Sequence, residues 1–225
     1  MLAQAIGDML PVILAIALTP LQIIGMVLVL GGPNARAAGP ALLAGWLVAL
    51  AAVTAVAIIL IEMASEGGRT ASPFIPWLQM ALGLLLFWAA LRLWTTRPRG
   101  DEEPPTPKWL ASFGEAAPAR AFMLGGMLSV ANPKIIALVL AGMTSLGYLP
   151  LTSGQIATVA VIFVLLASAP VIALAIAHAA GGDGMAARLQ SLKTFLLRNN
   201  NVILMVVFAI LGVSVFGKGL AGLGE

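Results

Sequence analysis

Two short runs carry most of the chemistry this sequence offers. Asn132-Pro133-Lys134 sets an amide, a helix breaker and a cation in a row inside a long apolar stretch. Thr19-Pro20-Leu21-Gln22 does the same with a hydroxyl and an amide. A proline has no N–H, so it frees the carbonyl four residues back, that of Ile16 for Pro20 and of Ser129 for Pro133, and its ring bends the helix. Freed carbonyls are costly in lipid and must face protein or a water-filled cavity; Thr19, Gln22, Ser129 and Asn132 are suited to meet them. Pro170 beside Ser168 repeats the pattern. Lys134 is the sharpest feature: it falls near the middle of an apolar span, too far from either end for easy snorkelling, where a cation costs about 2.5–3.5 kcal/mol. No span holds a central Asp or Glu, since Asp8 and Glu62 fall near span ends and the other carboxylates lie in loops or at the C-terminus. Compensation is left to freed carbonyls, water, a neutral amine or an anionic ligand. The candidate substrate-binding residues are therefore Lys134, Asn132, Gln22, Thr19, Ser129 and Ser168, with Pro20, Pro133 and Pro170 as hinges. The competing readings are a structural lysine, amides as interhelical glue and prolines that only bend their helices.

Other chemistries lack their residues. There are no cysteines, which excludes disulfides, thiolate metal sites and thiol relays, and the one histidine, His178, leaves little for a metal site. His178 reads as a capping or snorkelled residue rather than a proton relay. No nucleophilic triad, phosphate loop or metal pair has the required spacing, so neither an enzyme nor a resident cofactor or metal is expected.

The elements that hold these residues are membrane helices. Of 225 residues 60% are hydrophobic and 9% charged, with a mean hydropathy of +1.03; an ordinary soluble chain is roughly 25% charged. Apolar runs at about 9–30, 40–61, 74–94, 121–146, 156–177 and 202–216 predict six transmembrane helices. The first, third and fifth loops hold nine of the twelve basic residues, from Arg36 to Arg198. The positive-inside rule puts those loops in the cytoplasm and both termini outside, which also explains the net charge of +3 without nucleic acid as a partner. No Lys or Arg precedes Arg36, so the first helix is expected to be retained rather than cleaved as a signal peptide. Between the halves, 97–120 combines Pro98, Pro104, Pro105, Pro107 and Pro118 with Asp101, Glu102 and Glu103, a composition that predicts a mobile cytoplasmic linker. Over 183–199, Met185, Leu189, Leu192 and Leu196 recur at helical spacing among Arg188, Lys193 and Arg198. That predicts an interfacial helix on the cytoplasmic leaflet, an anchor or a gate-coupling lever.

Three helices on each side of the linker give opposite orientations to the two halves, 1–96 and 121–225. The expected fold is an all-α integral membrane protein, six transmembrane helices as two inverted three-helix repeats, each with a proline deep in its first helix. Matched broken helices in inverted repeats are the usual pointer to a midplane site in secondary transporters. Ala41, Gly45 and Ala49 form a small-residue stripe read as a packing surface.

Asn132-Pro133-Lys134 resembles the Asn-Pro-Lys signature of the lysine exporter (LysE) superfamily. Ala17-Leu18-Thr19-Pro20 followed by Val27-Leu28-Val29-Leu30, Pro33, Arg36 and Gly45-Trp46 resembles its glycolipid-addressing branch, the GAP or sulfolipid-addressing (Sap) family of actinobacteria. The resemblance implies a bacterial inner-membrane transporter that moves a cell-envelope glycolipid outward. Amino-acid exporters of the superfamily carry Pro-Gly-Pro-Asn in helix 1, whereas here Pro20 is followed by Leu21 and Gln22. The expected function is export or translocation of an anionic amphiphile or glycolipid by alternating access. Its alternatives are an accessory protein docking a lipid synthase or larger lipid transporter through the linker, and an exporter of a small amino-acid-like metabolite. Membrane lipids and a second copy of the chain complete the expected partners.

Overall fold

The computed structural model describes residues 2–65, 74–96, 112–144, 146, 149, 151–181 and 185–223, and all regular structure among them is helical. In chain order the helices are α1 (Leu2–Ala17), α2 (Pro20–Leu30), α3 (Ala35–Ser65), α4 (Phe74–Thr95), α5 (Pro118–Val130), α6 (Pro133–Thr144), α7 (Ser153–Ala167), α8 (Ala169–Ala180) and α9 (Met185–Ala221). Two are long and apolar enough to cross a membrane as single rods, at Ala35–Ile61 and Asn201–Ala221. Three further candidates are bent pairs: α1 with α2 at 50°, α5 with α6 at 60°, and α7 with α8 at 58°. Large apolar side chains such as Val48, Ile59, Leu84, Trp88, Val206 and Val213 are exposed on the outside. A soluble monomer does not leave so much apolar surface open to water, and the chain is a membrane protein.

Local sequence explains where the helices begin. Asn34 starts α3, its carbonyl accepting from the N–H groups of Ala37 and Ala38 at 3.0 and 2.9 Å, so the helix begins earlier than the apolar run and takes Pro40 inside it. Thr152 and Gln155 form a reciprocal capping box at the head of α7, with bonds of 2.9 and 3.3 Å.

Two expectations need correction. The segment 183–199 is not a separate helix: from Met185 it runs unbroken into the last span as the 37-residue α9. Leu189 and Leu196 are buried in the core and Leu192 packs against it, so that stripe faces protein. The linker expected over 97–120 also ends early. Phe113 and Ala116 are buried, and α5 already begins at Pro118; the first part of the linker, 97–111, lies outside the described residues.

Two glycine crossings set the packing. A β-carbon on Gly45 would run into the Phe122 carbonyl, and one on Gly125 into the Leu42 carbonyl, so α3 and α5 touch backbone to backbone along the Ala41-Gly45-Ala49 stripe. On the other side α4 packs chiefly against α9. There a β-carbon on Gly83 would lie 2.9 Å from the Gly212 carbonyl and one on Gly212 would lie 3.0 Å from the Gly83 carbonyl, a reciprocal contact. At one end of the bundle the backbone of Gly32 abuts Gly114, and Asn34 Nδ2 donates to the Ala116 carbonyl at 3.5 Å. Near the termini, Lys218 Nζ donates to the Asp8 carbonyl at 3.4 Å.

Candidate functional site

The three bends fall at the three polar-proline pairs. At the first, Pro20 opens α2 and cannot donate to Ile16. That carbonyl accepts instead from Gln22 Nε2 at 2.8 Å and from the Thr19 N–H at 3.0 Å, and Gln22 Nε2 also reaches the Ala17 carbonyl at 3.3 Å. The Thr19 hydroxyl turns back to the Ala15 carbonyl at 2.9 Å, so it gives α2 no side-chain cap. Gln22 is 1% exposed, and while its Nε2 is spent on the backbone its Oε1 has no hydrogen-bond partner.

At the second break, the N–H of Ala131 closes α5 onto the Met127 carbonyl at 2.9 Å. Asn132 then heads α6: its Oδ1 accepts from the Lys134 N–H at 3.1 Å and its carbonyl from Ile135 and Ile136 at 3.0 and 3.3 Å. This is the capping use of an asparagine, and it occupies the amide oxygen that the sequence offers to a ligand. Ser129 is fully buried and its Oγ has no partner. The Lys134 side chain places Nζ 4.7 Å from the centroid of the Phe208 ring of α9, and Nζ has no hydrogen-bond partner. A cation–π contact is worth about 0.5–2 kcal/mol, less than the ~2.5–3.5 kcal/mol that a charge in mid-membrane costs. Phe208 alone does not balance an ammonium.

At the third break, the Ser168 N–H bonds the Val164 carbonyl at 3.1 Å and its carbonyl accepts from Ile172 at 3.0 Å, with Pro170 in the first turn of α8. Its Oγ accepts from Trp46 Nε1 at 2.9 Å. Both side chains are fully buried. A buried indole needs a partner for its N–H, and Ser168 ties α3 to the break as that partner.

Among the described residues, four buried side-chain polar atoms lack a hydrogen-bond partner: Gln22 Oε1, Ser129 Oγ, Lys134 Nζ and His178 Nδ1. Three of them lie within four residues of Pro20 or Pro133, whereas His178 is in the last turn of α8. Thr19 and Asn132 have local partners and Ser168 has Trp46 of α3. No hydrogen bond joins Lys134 to Gln22 or Ser129 among the described residues, and no three His, Cys, Asp or Glu side chains there could hold a metal ion.

A family model described as Sap, sulfolipid-1-addressing protein, matches residues 9–221, a stretch that contains all three breaks. The chain belongs to the Sap family. No curated protein matches it, and no solved structure does. In this Sap-family chain two contacts at the breaks escape sequence reasoning, Trp46 with Ser168 and Lys134 with Phe208. Trp46 enters the sequence reading only as part of the Gly45-Trp46 run, which says nothing of a partner in Ser168. Phe208 carries no signal, because one phenylalanine in an apolar span resembles any other.

Proposed function

We propose that the chain is a transporter that translocates an anionic, glycolipid-like amphiphile across the bacterial inner membrane by alternating access. One observation carries this reading. A lysine with no hydrogen-bond acceptor lies beside a proline break in mid-span, and the unpaired oxygens of Gln22 and Ser129 lie at the same two breaks. The lysine supplies the counter-charge for a phosphate, sulfate or carboxylate, and the two oxygens accept from or bind the hydroxyls of a headgroup. The name of the Sap family favours a sulfolipid-like substrate, and an anionic headgroup on acyl chains fits a polar break enclosed by apolar helices.

The proposed scaffold is six spans in two inverted repeats, as in the lysine exporter superfamily that the Asn-Pro-Lys run resembles. The contact of Lys218 near the end of α9 with Asp8 of α1 supports an even number of crossings. The two rods and three bent pairs make five. The 22-residue α4 supplies the sixth, since at 1.5 Å per residue it is about 33 Å long, enough for a ~30 Å core. The reciprocal contact of Gly83 and Gly212 supports a two-fold relation, because a residue pair on such an axis contacts itself symmetrically. In this scheme Pro20, Pro133 and Pro170 let the half-helices rock, and the basic loops put both termini outside.

The test is flux in liposomes holding only this protein, with a fluorescent anionic glycolipid and its neutral counterpart as probes. Protein-dependent movement of the anionic probe is expected. Flux no greater than in protein-free liposomes removes the transport reading.

A further inference from the structure

Between α3 and α7 runs an open apolar groove of about 670 Å³, lined from Leu47 to Ile59 on one wall and from Ser153 to Leu165 on the other. Small side chains make it concave: Ala51 and Ala55 lie one turn apart on α3, and Ala157 and Ala160 share a face of α7. Its polar lining is slight. Ser153 is exposed at one end, and the Thr54 hydroxyl is spent on the Leu50 carbonyl at 2.8 Å. From Leu47 to Ile59 the α3 wall is about 18 Å long at 1.5 Å per residue, slightly more than one leaflet of a ~30 Å hydrocarbon core.

The two ends differ in kind. One opens beside the Thr152–Gln155 capping box, where the loop before α7 presents polar groups. The other stops at Leu47, Val164 and Leu165, next to Trp46 and one turn short of Ser168, whose hydrogen bond joins the walls at the α7–α8 break. The slot is thus leaflet-deep, open to the side, with Ser153 at one end and the α7–α8 break just beyond the other.

We propose that this groove takes one acyl chain of a membrane lipid, with the tail directed toward the break and the Trp46–Ser168 hydrogen bond as the stop at its inner end. The inference rests on the lipid-moving reading above and adds the surface that receives the tail. In hydrocarbon there is no water to expel, so retention comes from van der Waals contact within a concave slot. An exposed position outside the groove, such as Val206 or Val213 on α9, offers fewer such contacts.

The experiment uses the full-length protein in liposomes containing phosphatidylglycerol with a diazirine at the end of one acyl chain. Cross-links are mapped by mass spectrometry, and flux is measured on the same preparations. Cross-links are expected to concentrate on 47–59 and 153–165. Ala157→Phe together with Ala160→Phe fills the open space and lowers them about tenfold, a loss of ~1.4 kcal/mol, without changing the melting temperature. Should that pair fail to fold, Ala157→Cys blocked with benzylmaleimide after purification fills the same space in folded protein. Ser168→Ala removes the acceptor of the stop and moves the deepest cross-links past Leu165. Labels spread equally onto Val206 and Val213, or unaffected by filling the groove, overturn the inference. So does disulfide dimerisation of Ala55→Cys with lipid labels absent, since a second copy of the chain then occupies the slot. Groove labelling without flux keeps the site and removes the transport reading; flux without groove labelling does the reverse.

Discussion

Removing the Lys134 charge separates the two uses of a buried cation. Lys134→Met keeps length and takes away a charge that Phe208 only partly balances, so the melting temperature is expected to hold or rise. Binding of an anionic amphiphile is expected to fall about ten- to hundredfold, since a hydrogen bond to a charged group is worth ~1.5–3 kcal/mol, while a matched neutral amphiphile binds as before. Lys134→Arg keeps part of the attraction, with a planar fork in place of a compact ammonium. Equal affinity of Lys134→Met and the parent for the anionic probe takes Lys134 out of the site. Gln22 behaves differently, because its Nε2 holds the Ile16 and Ala17 carbonyls. Gln22→Leu takes this donor from both, leaving the Ile16 carbonyl with the Thr19 N–H alone, and is expected to cost about 1–3 kcal/mol, read as earlier unfolding in detergent. Much of this is legible in the residue types, because a polar group inside an apolar span needs a partner. The partners are less so. Ser168 lies 122 residues from Trp46, and the cap that engages Asn132 depends on where α5 stops, which apolar text does not mark.

Among the elements, the three breaks are readable because proline removes a donor from the helix ladder and its ring crowds the preceding turn. Straightening the first break is expected to take two changes. In Pro20→Ala the restored N–H meets an Ile16 carbonyl already engaged by Gln22, so the bend largely persists, and Pro20→Ala with Gln22→Leu closes it. Flux through the single and double variants measures whether the bend serves transport, with loss expected chiefly in the double variant. The continuity of α9 is not readable: Arg188, Lys193, Arg198 and the asparagines 199–201 look like an ending. Charged and amide side chains do not stop a helix as Gly or Pro does, and Asn199 turns its Nδ2 back to the Phe195 carbonyl at 2.8 Å. Phe113 is hidden for the opposite reason, an anchor at the edge of a Pro- and Glu-rich composition that predicts none. At the α3–α5 crossing the two backbones leave no room for a side chain. Gly45→Val or Gly125→Val must separate two touching backbones and is expected to cost at least the ~1–3 kcal/mol of ordinary overpacking. The same change at Gly7, whose added β-carbon meets nothing within 4 Å, is expected to leave the melting temperature near that of the parent.

For the whole molecule, the contacts of Asp8 with Lys218 and of Asn34 with Ala116 constrain how the chain threads the bilayer. In this cysteine-free protein, Ala3→Cys and Leu223→Cys are expected to react with an impermeant maleimide from outside the cell, and Ala37→Cys and Ala119→Cys only after the membrane is opened. Reaction of Ala3→Cys solely in opened cells reverses the orientation. The distribution of basic residues carries this expectation in the sequence, and so does the general helical class; the lateral groove is carried nowhere in it, since it arises from alanines on two helices about a hundred residues apart. The pairing of α4 with α9 also bears on biosynthesis. Gly83 of α4 fits a helix that is made only about ten seconds later at ~5–20 residues per second. Until then the notch at Gly83 stands open to lipid or to an assisting insertase, and a nascent chain cut short before α9 leaves α4 without its mate. The arrival of Gly212 opposite Gly83 is therefore a late step in assembly.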